Sequence, residues 1–285
     1  MEISELKIFL AVARQGSISR AAEELHYVQS NVTTRIKQLE ERLDTSLFHR
    51  KSKGVCLTGA GLTLLNYAER IIQLANEAKE ALNEKTLPQG SLTIGSMETT
   101  AAVRLPGLLA DFHRRYPLVE LNLVTAPSSI SLKRLLDFQL EGALVAGEIS
   151  HLSLSAEKVF EEELVIVAPL KVEPVSVENL KILVFRSGCS YRAQLENWLQ
   201  QSGRMNYQVV ELGSIEGIIG CVAAGMGISF LPRSVVERPH YLQNCSLHGV
   251  PDQFSRMTTW FVRRRNEKSS KALQAFRELL LTANE

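Results

Sequence analysis

The sequence has little of what would place it in several common classes of protein. It contains only four cysteines in 285 residues, and no two of them form a Cys-x-x-Cys pair, so neither a disulfide framework nor a structural zinc site is expected. No stretch approaches the ~20 consecutive apolar residues that a membrane-spanning helix needs. The N-terminus lacks the basic start, apolar middle and small-residue cleavage site of an export signal. These absences predict a cytoplasmic protein with no metal, no cofactor and no membrane contact.

Neither sign of charge dominates the chain. The 32 basic residues are balanced by 31 acidic ones, which gives a formal net charge of +1, so overall charge alone does not indicate nucleic-acid binding. Hydrophobic residues make up 45% and charged residues 22%, close to the averages of folded globular proteins. At roughly 100–200 residues per domain, the length predicts two or three domains. Evidence of function must therefore come from local patterns.

Three short helices are predicted within the first 43 residues. Apolar residues three and four positions apart indicate a first helix that ends at Gly16, and a second helix for which Ser19 is the expected N-terminal cap. A third helix follows, with apolar residues at intervals of three or four: Val28, Val32, Ile36, Leu39 and Leu43.

The opposite face of the third helix carries short hydrogen-bonding side chains and one guanidinium. Its members are Gln29, Ser30, Asn31, Thr33, Thr34 and Arg35. In a DNA major groove, glutamine and asparagine side chains can bond adenine, arginine can bond guanine, and a threonine methyl can contact thymine. The alternative is the ordinary solvated face of an amphipathic helix.

A basic segment follows this helix and favours the first interpretation. Residues 33–53 hold six basic side chains against three acidic ones, namely Arg35, Lys37, Arg42, Arg50, Lys51 and Lys53 against Glu40, Glu41 and Asp44. Two short helices joined by a brief turn and followed by a basic hairpin are typical of a winged helix-turn-helix, whose wing cations contact the phosphate backbone. The segment therefore predicts double-stranded DNA as a partner.

A longer motif runs through the same region. It reads Phe9-x-x-Val12-Ala13, Gly16-Ser17-Ile18-Ser19-x-Ala21-Ala22-x-x-Leu25, Gln29-Ser30-x-Val32-Thr33-x-x-Ile36-x-x-Leu39-Glu40, Leu47-Phe48-x-Arg50 and Leu57-Thr58-x-Ala60-Gly61. With this motif the sequence resembles the LysR-type transcriptional regulators, and the resemblance extends over the full length. It implies that bases are read by Gln29, Ser30, Thr33 and Thr34, that Arg35 and Lys37 lie near phosphates, and that Lys53 lies on the wing. Ser19, Asn31 and Arg50 complete the expected DNA-binding set.

Two positions depart from the family pattern. The family commonly has serine where Val28 stands, at the N-cap of the reading helix, and the loss of such a cap typically costs about 1 kcal/mol. It also commonly has proline in place of Ser30. Both departures fall on the first turn of the helix, so they affect the individual base contacts more than the DNA-binding role.

One long helix is predicted from about residue 58 to residue 84, because this stretch has no proline and its apolar residues return every three or four positions. At 1.5 Å per residue it would be roughly 35–40 Å long, too long to be covered by a small DNA-binding unit. We expect it to pair with the same helix of a second subunit; packing on its own C-terminal domain is the alternative. The resemblance implies an antiparallel dimer through this helix, commonly doubled to a tetramer. Residues 87–90 would form a hinge.

From Ser91 onward, short apolar runs alternate with amphipathic helices, which is typical of an α/β domain. Strands are expected at 92–95, 119–124, 143–146, 164–168, 182–185, 207–211 and 227–231, and helices near 101–115, 129–138, 191–202, 214–225 and 270–282. The resemblance implies two lobes, as in periplasmic solute-binding proteins, with the last helix returning to the first lobe.

The expected fold is therefore a multidomain α/β protein. It has an N-terminal winged helix-turn-helix (1–58), a linker helix and hinge (59–88) and a two-lobed effector-binding domain (89–285). Lobe 1 is expected at about 90–161 plus 267–285, and lobe 2 at about 162–266.

Ligands of open α/β sheets bind beyond the carboxyl ends of strands, beside helix N-termini. Suitable residues there are Ser96, Met97, Thr99, Thr100, Ser128, Ser129, Ser187, Gly188 and Ser214. In the resembled family this crevice binds a small effector, often a carboxylate; the alternative is that these serines and threonines are ordinary helix caps. Glu98 argues against an anion unless its carboxylate turns away, or unless Arg192, Arg204 or Arg256 offsets its charge.

The leading prediction is a dimeric, effector-responsive transcription regulator that is not an enzyme, with RNA polymerase as a further candidate partner. A redox-responsive regulator is one alternative, because Cys189 lies at a helix start beside Arg192, a setting that can lower a thiol pKa. A solute-binding protein or an enzyme with accessory helices is another. It is disfavoured because the sequence shows neither an export signal nor a constellation of acid, base or metal-ligating groups.

Overall fold

The computed structural model describes residues 1–51, 54–81, 87–172, 180–265 and 269–283. It divides into two compact units: Met1–Thr86 with Asp137–Gln139, and Leu87–Leu136 with Leu140–Glu285. The elements of the first unit, in chain order, are α1 (Ile3–Gln15), α2 (Ile18–Glu24), α3 (Gln29–Arg42), β1 (Phe48–Lys51), β2 (Gly54–Leu57) and α4 (Gly59–Ala81). Within the described residues, no helix is both long enough and apolar enough to cross a bilayer.

The cap of α2 differs from the expected one. Ser17 has the extended backbone of an N-cap, and its Oγ accepts a hydrogen bond from the backbone N of Arg20 at 3.4 Å. Ser19 lies inside the helix instead, so the prediction of Ser19 as the cap is wrong. The physical reason is that α1 ends at Gly16 in a left-handed conformation, which leaves Ser17 as the first extended residue before the next turn of helix.

Helix α3 is fixed by one buried apolar stripe. Val32, Ile36 and Leu39 are buried against α1 and α2. Val28, expected to begin this stripe, is 73% exposed because it is the N-cap, and its side chain cannot cap the helix. The stripe is therefore shorter than the sequence pattern indicates.

An ion pair joins the start of α1 to the end of α3. The carboxylate of Glu5, whose residue is only 2% exposed, forms an ion pair with Arg42 at 2.8 Å. It accepts hydrogen bonds from Arg42 at 3.1 Å and from the backbone N of Glu2 at 2.8 Å. A buried carboxylate is stable only when it is paired and hydrogen-bonded. Arg42 therefore serves the fold, although the sequence counts it among the basic residues of the DNA-binding segment.

The two strands of the wing form an antiparallel hairpin that packs on the helices. Glu40 Oε1 accepts from the backbone N of Leu47 at 2.7 Å and of Phe48 at 3.2 Å, which holds the start of the hairpin to α3. Gly54 has φ +105°, and a Cβ there would lie 2.3 Å from the carbonyl oxygen of Gly16. The wing can therefore approach the α1–α2 turn this closely only with glycine at this position.

The second unit has two lobes. Lobe 1 contains β3 (Gly90–Ser96), α5 (Glu98–Val103), α6 (Leu105–Arg115), β4 (Val119–Thr125), α7 (Ser128–Leu136), β5 (Gly142–Ala146), the first part of β6 (Leu154–Pro169), β11 (Arg256–Arg264) and α13 (Lys271–Thr282). Its sheet has the order β4-β3-β5-β11-β6, in which β3 is parallel to β4 and β5, and β11 is antiparallel to β5 and β6. Phe276 of α13 packs on Phe112 and Phe261, so the last helix packs on lobe 1.

Lobe 2 is built around the second part of β6. Its other elements are β7 (Leu180–Val184), α8 (Ser190–Gln201), β8 (Tyr207–Glu211), α9 (Ile215–Ala223), β9 (Ser229–Pro232), α10 (Arg233–Val236), α11 (Pro239–Leu242), β10 (Cys245–His248) and α12 (Asp252–Ser255). β6 pairs antiparallel with β9 and with β10, while β7 runs parallel to β8. A parallel bridge between Ile182 and Ile228 connects these two groups of strands.

Three strands or parts of strands are absent from the sequence prediction. They are residues 154–163 of β6, β10 and β11. Residues 154–163 and β11 carry charged or polar side chains between their apolar ones, so they do not form the apolar runs on which the strand predictions rest. β11 was expected within lobe 2, but it pairs with β5 and β6 in the sheet of lobe 1.

The helix expected near 101–115 is two helices, α5 and α6, because the chain turns at Arg104 before Pro106.

Two glycines in the first turn of α4 provide a matched test of this packing. A Cβ at Gly61 would lie 2.2 Å from the carbonyl oxygen of Leu47, whereas a Cβ at Gly59 would meet nothing within 4 Å. Gly61→Ala should therefore lower the free energy of unfolding by about 1–3 kcal/mol, as in other overpacked sites. Gly59→Ala should raise it by up to about 1 kcal/mol, because alanine favours the helix. Urea denaturation of the full chain measures both values, and equal stability of the two variants would contradict the close approach.

Candidate functional site

The exposed face of α3 is the first candidate site. Gln29, Ser30, Asn31, Thr34 and Arg35 are exposed, and Thr33 is partly exposed. Thr33 Oγ1 donates to the carbonyl oxygen of Gln29 at 2.9 Å, and Thr34 Oγ1 donates to that of Ser30 at 2.9 Å. Because each hydroxyl hydrogen is used within the helix, both threonines present a methyl group and acceptor lone pairs outward. This face can therefore contact thymine methyls and accept hydrogen bonds from base amino groups.

The remaining expected DNA-binding residues are Ser19, Lys37, Arg50 and Lys53. Lys37 is exposed and forms an ion pair with Glu41 at 3.6 Å, whereas no carboxylate of the described ranges lies within ion-pair distance of Arg35. Ser19 is exposed on α2, Arg50 belongs to β1, and Lys53 lies outside the described residues. Gln38 was not predicted; it borders a groove on α3 together with Val28, Ser30, Asn31, Thr34 and Arg35. Its position one helical turn after Thr34 is the sequence signal that could have identified it.

The second candidate site is the cleft between the two lobes of the second unit. Strands β3, β4 and β5 are parallel, so their carboxyl ends meet at one edge of the sheet. Two cavities lie in this cleft. The inner cavity, of about 230 Å³, is lined by Met97, Glu98, Thr99, Phe185, Arg186 and Tyr191 among others. The outer cavity, of about 630 Å³, is lined by Ser129, Gly188, Gln194, Arg256, Thr258 and Trp260 among others.

Hydroxyl groups connect the lobes between these cavities. Ser128 Oγ accepts from the backbone N of Ala146 at 3.1 Å, and Ser190 Oγ donates to the carbonyl oxygen of Ala146 at 2.6 Å. The two serine oxygens are 3.3 Å apart, and Ser128 lines both cavities. Thr99 Oγ1 lies 3.1 Å from the phenol oxygen of Tyr191, and burial raises the pKa of that phenol. Tyr191 is therefore a neutral hydrogen-bonding group in the cleft.

The cleft contains some of the predicted effector residues but not all of them. Met97, Thr99, Ser128, Ser129 and Gly188 line the cavities, while Ser96, Thr100, Ser187 and Ser214 line neither of the two. Ser96 is buried and donates to the carbonyl oxygen of Met97 at 3.0 Å. Ser214 caps α9 by accepting from the backbone N of Gly217 at 3.1 Å, which is the helix-cap alternative.

Several lining residues of lobe 2 were not predicted. Phe185 and Arg186 directly follow β7, and Tyr191 lies in the first turn of α8. Arg186 and Tyr191 follow the strand expected at 182–185, but an arginine or a tyrosine there does not by itself indicate a ligand site. Trp260 was missed because it belongs to β11, which was not predicted as a strand, and Arg256 of the same strand was named only as a residue that could offset Glu98.

Of the three arginines expected to offset the charge of Glu98, only Arg256 is among the described lining residues, and it lines the outer cavity. Glu98 Oε1 accepts from the backbone N of Ile215 at the start of α9, at 3.3 Å, and burial raises the pKa of the Glu98 carboxyl. Arg192 forms ion pairs with Glu196 and Glu211 and does not line the inner cavity. The arginine that does line it is Arg186.

A buried carboxylate joins the lobes where β6 passes from one to the other. Arg104 of lobe 1 donates two hydrogen bonds to Glu162, at 2.8 and 3.0 Å, and Ser234 of lobe 2 donates a third at 2.9 Å. Glu162 is only 5% exposed.

Among the described residues, no group of three or more His, Cys, Asp or Glu side chains is placed to hold a metal ion.

Comparison with known proteins assigns both units. Residues 3–62 match the model of the bacterial regulatory helix-turn-helix protein, lysR family, and residues 85–285 match the LysR substrate binding domain. The chain belongs to the LysR family. It is a DNA-binding transcriptional regulator with an effector-binding domain. This confirms the resemblance, the fold class and the prediction of a DNA-binding regulator.

Relatives of this LysR-family regulator match it over nearly the whole length. It is 46% identical over 280 residues to the HTH-type transcriptional regulator GltR of Bacillus subtilis (strain 168), covering 97% of this chain and 95% of GltR. It is 40% identical over 286 residues to the HTH-type transcriptional regulator SoxR of Arthrobacter sp. (strain TE1826), covering 100% and 98%.

Two solved structures share the fold of the LysR-family chain. A full-length OxyR from Pseudomonas aeruginosa has a TM-score of 0.74 and 22% identity, with 99% of this chain and 94% of OxyR covered. Full-length CbnR complexed with its target DNA has a TM-score of 0.70 and 22% identity, and both chains are fully covered.

The environment of Cys189 in this LysR-family regulator bears on the redox alternative. Burial raises the pKa of the Cys189 thiol, and this effect outweighs the opposing effects of the helix backbone and of Arg192. The expectation from sequence was the opposite, a thiol pKa lowered by the helix start and the arginine. A thiol with a raised pKa holds less of the reactive thiolate at neutral pH.

The rate at which an alkylating reagent modifies Cys189 measures how much of its thiol is ionised. In a variant carrying Cys56→Ser, Cys221→Ser and Cys245→Ser, we expect iodoacetamide to modify Cys189 at least several-fold more slowly at pH 8 than it modifies free cysteine, because less thiolate is present. The rate should keep rising as the pH is raised above 9. A rate faster than that of free cysteine, with a plateau below pH 8, would contradict the burial argument and restore the redox alternative.

Proposed function

We propose that α3 reads base edges in the major groove of operator DNA through Gln29, Ser30, Asn31, Thr33 and Thr34, with Arg35, Lys37, Arg50, Lys53 and Ser19 contacting the backbone around it. The observation that carries this proposal is the composition of the exposed face of α3: adjacent uncharged hydrogen-bonding side chains and one guanidinium, that of Arg35, which has no ion-pair partner among the described residues. A similarly folded protein, CbnR, has a solved structure with its target DNA. Such DNA binding would take place in the cytoplasm, with RNA polymerase as a further partner at the promoter.

We propose that a small metabolite bound between the lobes regulates this DNA binding. The inner cavity takes residues from both lobes, and Glu162 connects the lobes at their shared strand. A ligand that binds one lobe arrangement 5–150-fold better than another would supply about 1–3 kcal/mol of coupling free energy. In this proposal the effector domain begins at about residue 89.

Self-association would bring two reading helices to one DNA site. Tyr67 and Leu74 are seven residues apart on α4, and each is about half exposed, at 55% and 50%. Two large apolar side chains at this spacing lie on one helix face, which suits a second copy of the same helix. A homodimer, doubled to a homotetramer, would place reading helices on a two-fold symmetric operator.

The reading helix is tested with the paired substitution Thr33→Ala and Thr34→Ala. Both side chains lose the methyl groups and acceptors that face outward, so specific affinity should fall at least ten-fold, in line with about 1–3 kcal/mol per base contact. The probe is a duplex enriched by the unaltered protein from a random-sequence pool. A scrambled duplex of the same length measures non-specific binding by gel shift.

Thr282→Ala is the matched control. Thr282 is another exposed threonine whose hydroxyl donates to helix carbonyls, but it lies in α13 of the second unit. It should leave the affinity for both duplexes unchanged. Equal affinities of the Thr33→Ala/Thr34→Ala protein and the Thr282→Ala protein for the enriched duplex would remove α3 from the role of reading helix.

The salt dependence separates base reading from phosphate contact. Arg35→Gln should weaken binding to both duplexes and reduce the slope of log affinity against log salt by about 1, because one fewer counterion is released. An unchanged slope would exclude a phosphate contact by Arg35.

A further inference from the structure

Only two of the side chains that line the inner cavity carry a formal charge, and the charges are opposite. Glu98 belongs to lobe 1, at the start of α5, and Arg186 belongs to lobe 2, after β7. The other polar groups of the lining are hydroxyls, including those of Thr99, Ser128 and Tyr191. A ligand in this cavity therefore meets one negative group and one positive group, on different lobes.

The carboxylate of Glu98 is poorly compensated. One oxygen accepts a single long hydrogen bond, from the backbone N of Ile215 at 3.3 Å, and the other accepts none from the described part of the chain. The charged side chain that acts on it most is Glu216, which is also acidic. Withdrawing a carboxylate from water without a cationic partner is unfavourable. A cationic group on a ligand would supply the missing partner.

Arg186 is exposed, and over the described ranges no carboxylate lies within ion-pair distance of its guanidinium. The guanidinium has a planar fork of donors that matches a carboxylate with two parallel hydrogen bonds. An anionic ligand group would therefore find a matching donor at this wall of the cavity.

We propose that the inner cavity binds a small zwitterion of the α-amino-acid class, with its ammonium group at Glu98 and its carboxylate at Arg186. The inference rests on the proposed function, because it concerns the same effector cavity. A purely anionic metabolite would leave Glu98 uncompensated and be repelled by it, and a simple amine would leave Arg186 unused. The volume of about 230 Å³ is below the usual 300–1,000 Å³ of drug-sized sites, which suits a ligand of few atoms.

The same arrangement gives the ligand a way to act on the protein. Because its two charged groups bind side chains of different lobes, a zwitterion makes its full set of contacts only when the lobes are close together. It therefore has a higher affinity for the closed arrangement than for any open one, which is the condition for a ligand to shift a conformational equilibrium.

The test uses the purified full-length protein and three sets of probes. These are the proteinogenic L-amino acids, the 2-oxo acids with the same side chains, and the amines that lack the carboxylate. Thermal shift identifies binders, because a ligand that binds only the folded state raises Tm, and calorimetry then measures affinity. The variants are Glu98→Gln and Arg186→Gln, and the matched controls are Glu278→Gln and Arg114→Gln, which alter exposed residues of α13 and α6.

We expect at least one amino acid to raise Tm with increasing concentration, and its 2-oxo acid and amine to bind at least ten-fold more weakly. Glu98→Gln and Arg186→Gln should each weaken that affinity at least ten-fold, and the controls should leave it unchanged. The inference is overturned if no amino acid binds, if the 2-oxo acid binds as tightly as its amino acid, or if Glu98→Gln has no effect. Binding of the enriched DNA duplex by the same variants is measured separately, so the DNA-binding proposal can stand when this one fails.

Discussion

A single strand, β6, carries the architecture of the effector-binding unit. Residues 154–163 pair with β11 in lobe 1, and the following residues pair with β9 and β10 in lobe 2. At the crossing, the buried carboxylate of Glu162 accepts hydrogen bonds from Arg104 of one lobe and from Ser234 of the other. A buried carboxylate must keep its partners, so this group fixes the lobes at one end, and the cavities lie between them.

The same principle governs the DNA-binding unit. Glu5 is buried and paired with Arg42, which ties the end of α3 to the start of α1, while Val32, Ile36 and Leu39 set the rotation of the helix about its axis. The polar face of α3 is exposed because these contacts bury the opposite face of the helix. Its threonines use their hydroxyl hydrogens within the helix, so this exposed face is richer in methyl groups and acceptors than a list of residue types indicates.

Periodicity was sufficient for much of the fold. It predicted the three short helices, the long α4 and the apolar strands of the second unit, because each of these buries one regular apolar pattern. It failed for residues 154–163 and for β11, where charged and polar side chains interrupt the apolar runs on which the strand predictions depend. It also failed at Val28, which matches the apolar spacing of α3 but is the N-cap and is exposed. In the cleft, the predicted residues Met97, Thr99 and Ser128 line the inner cavity, but Phe185, Arg186 and Tyr191 also line it and were not predicted.

What the sequence determined by itself was the family, the order of the units and the polar face of α3, since these depend on residues close together in the chain. The tertiary structure decided which charged side chains are paired within the protein and which line a cavity. It paired Arg42 with Glu5 and Arg192 with Glu196, and it brought Glu98 and Arg186 to one cavity. The burial that raises the pKa of Cys189 was also decided there. Charge pairing and burial depend on distances between residues far apart in the chain, and local spacing carries no information about those distances.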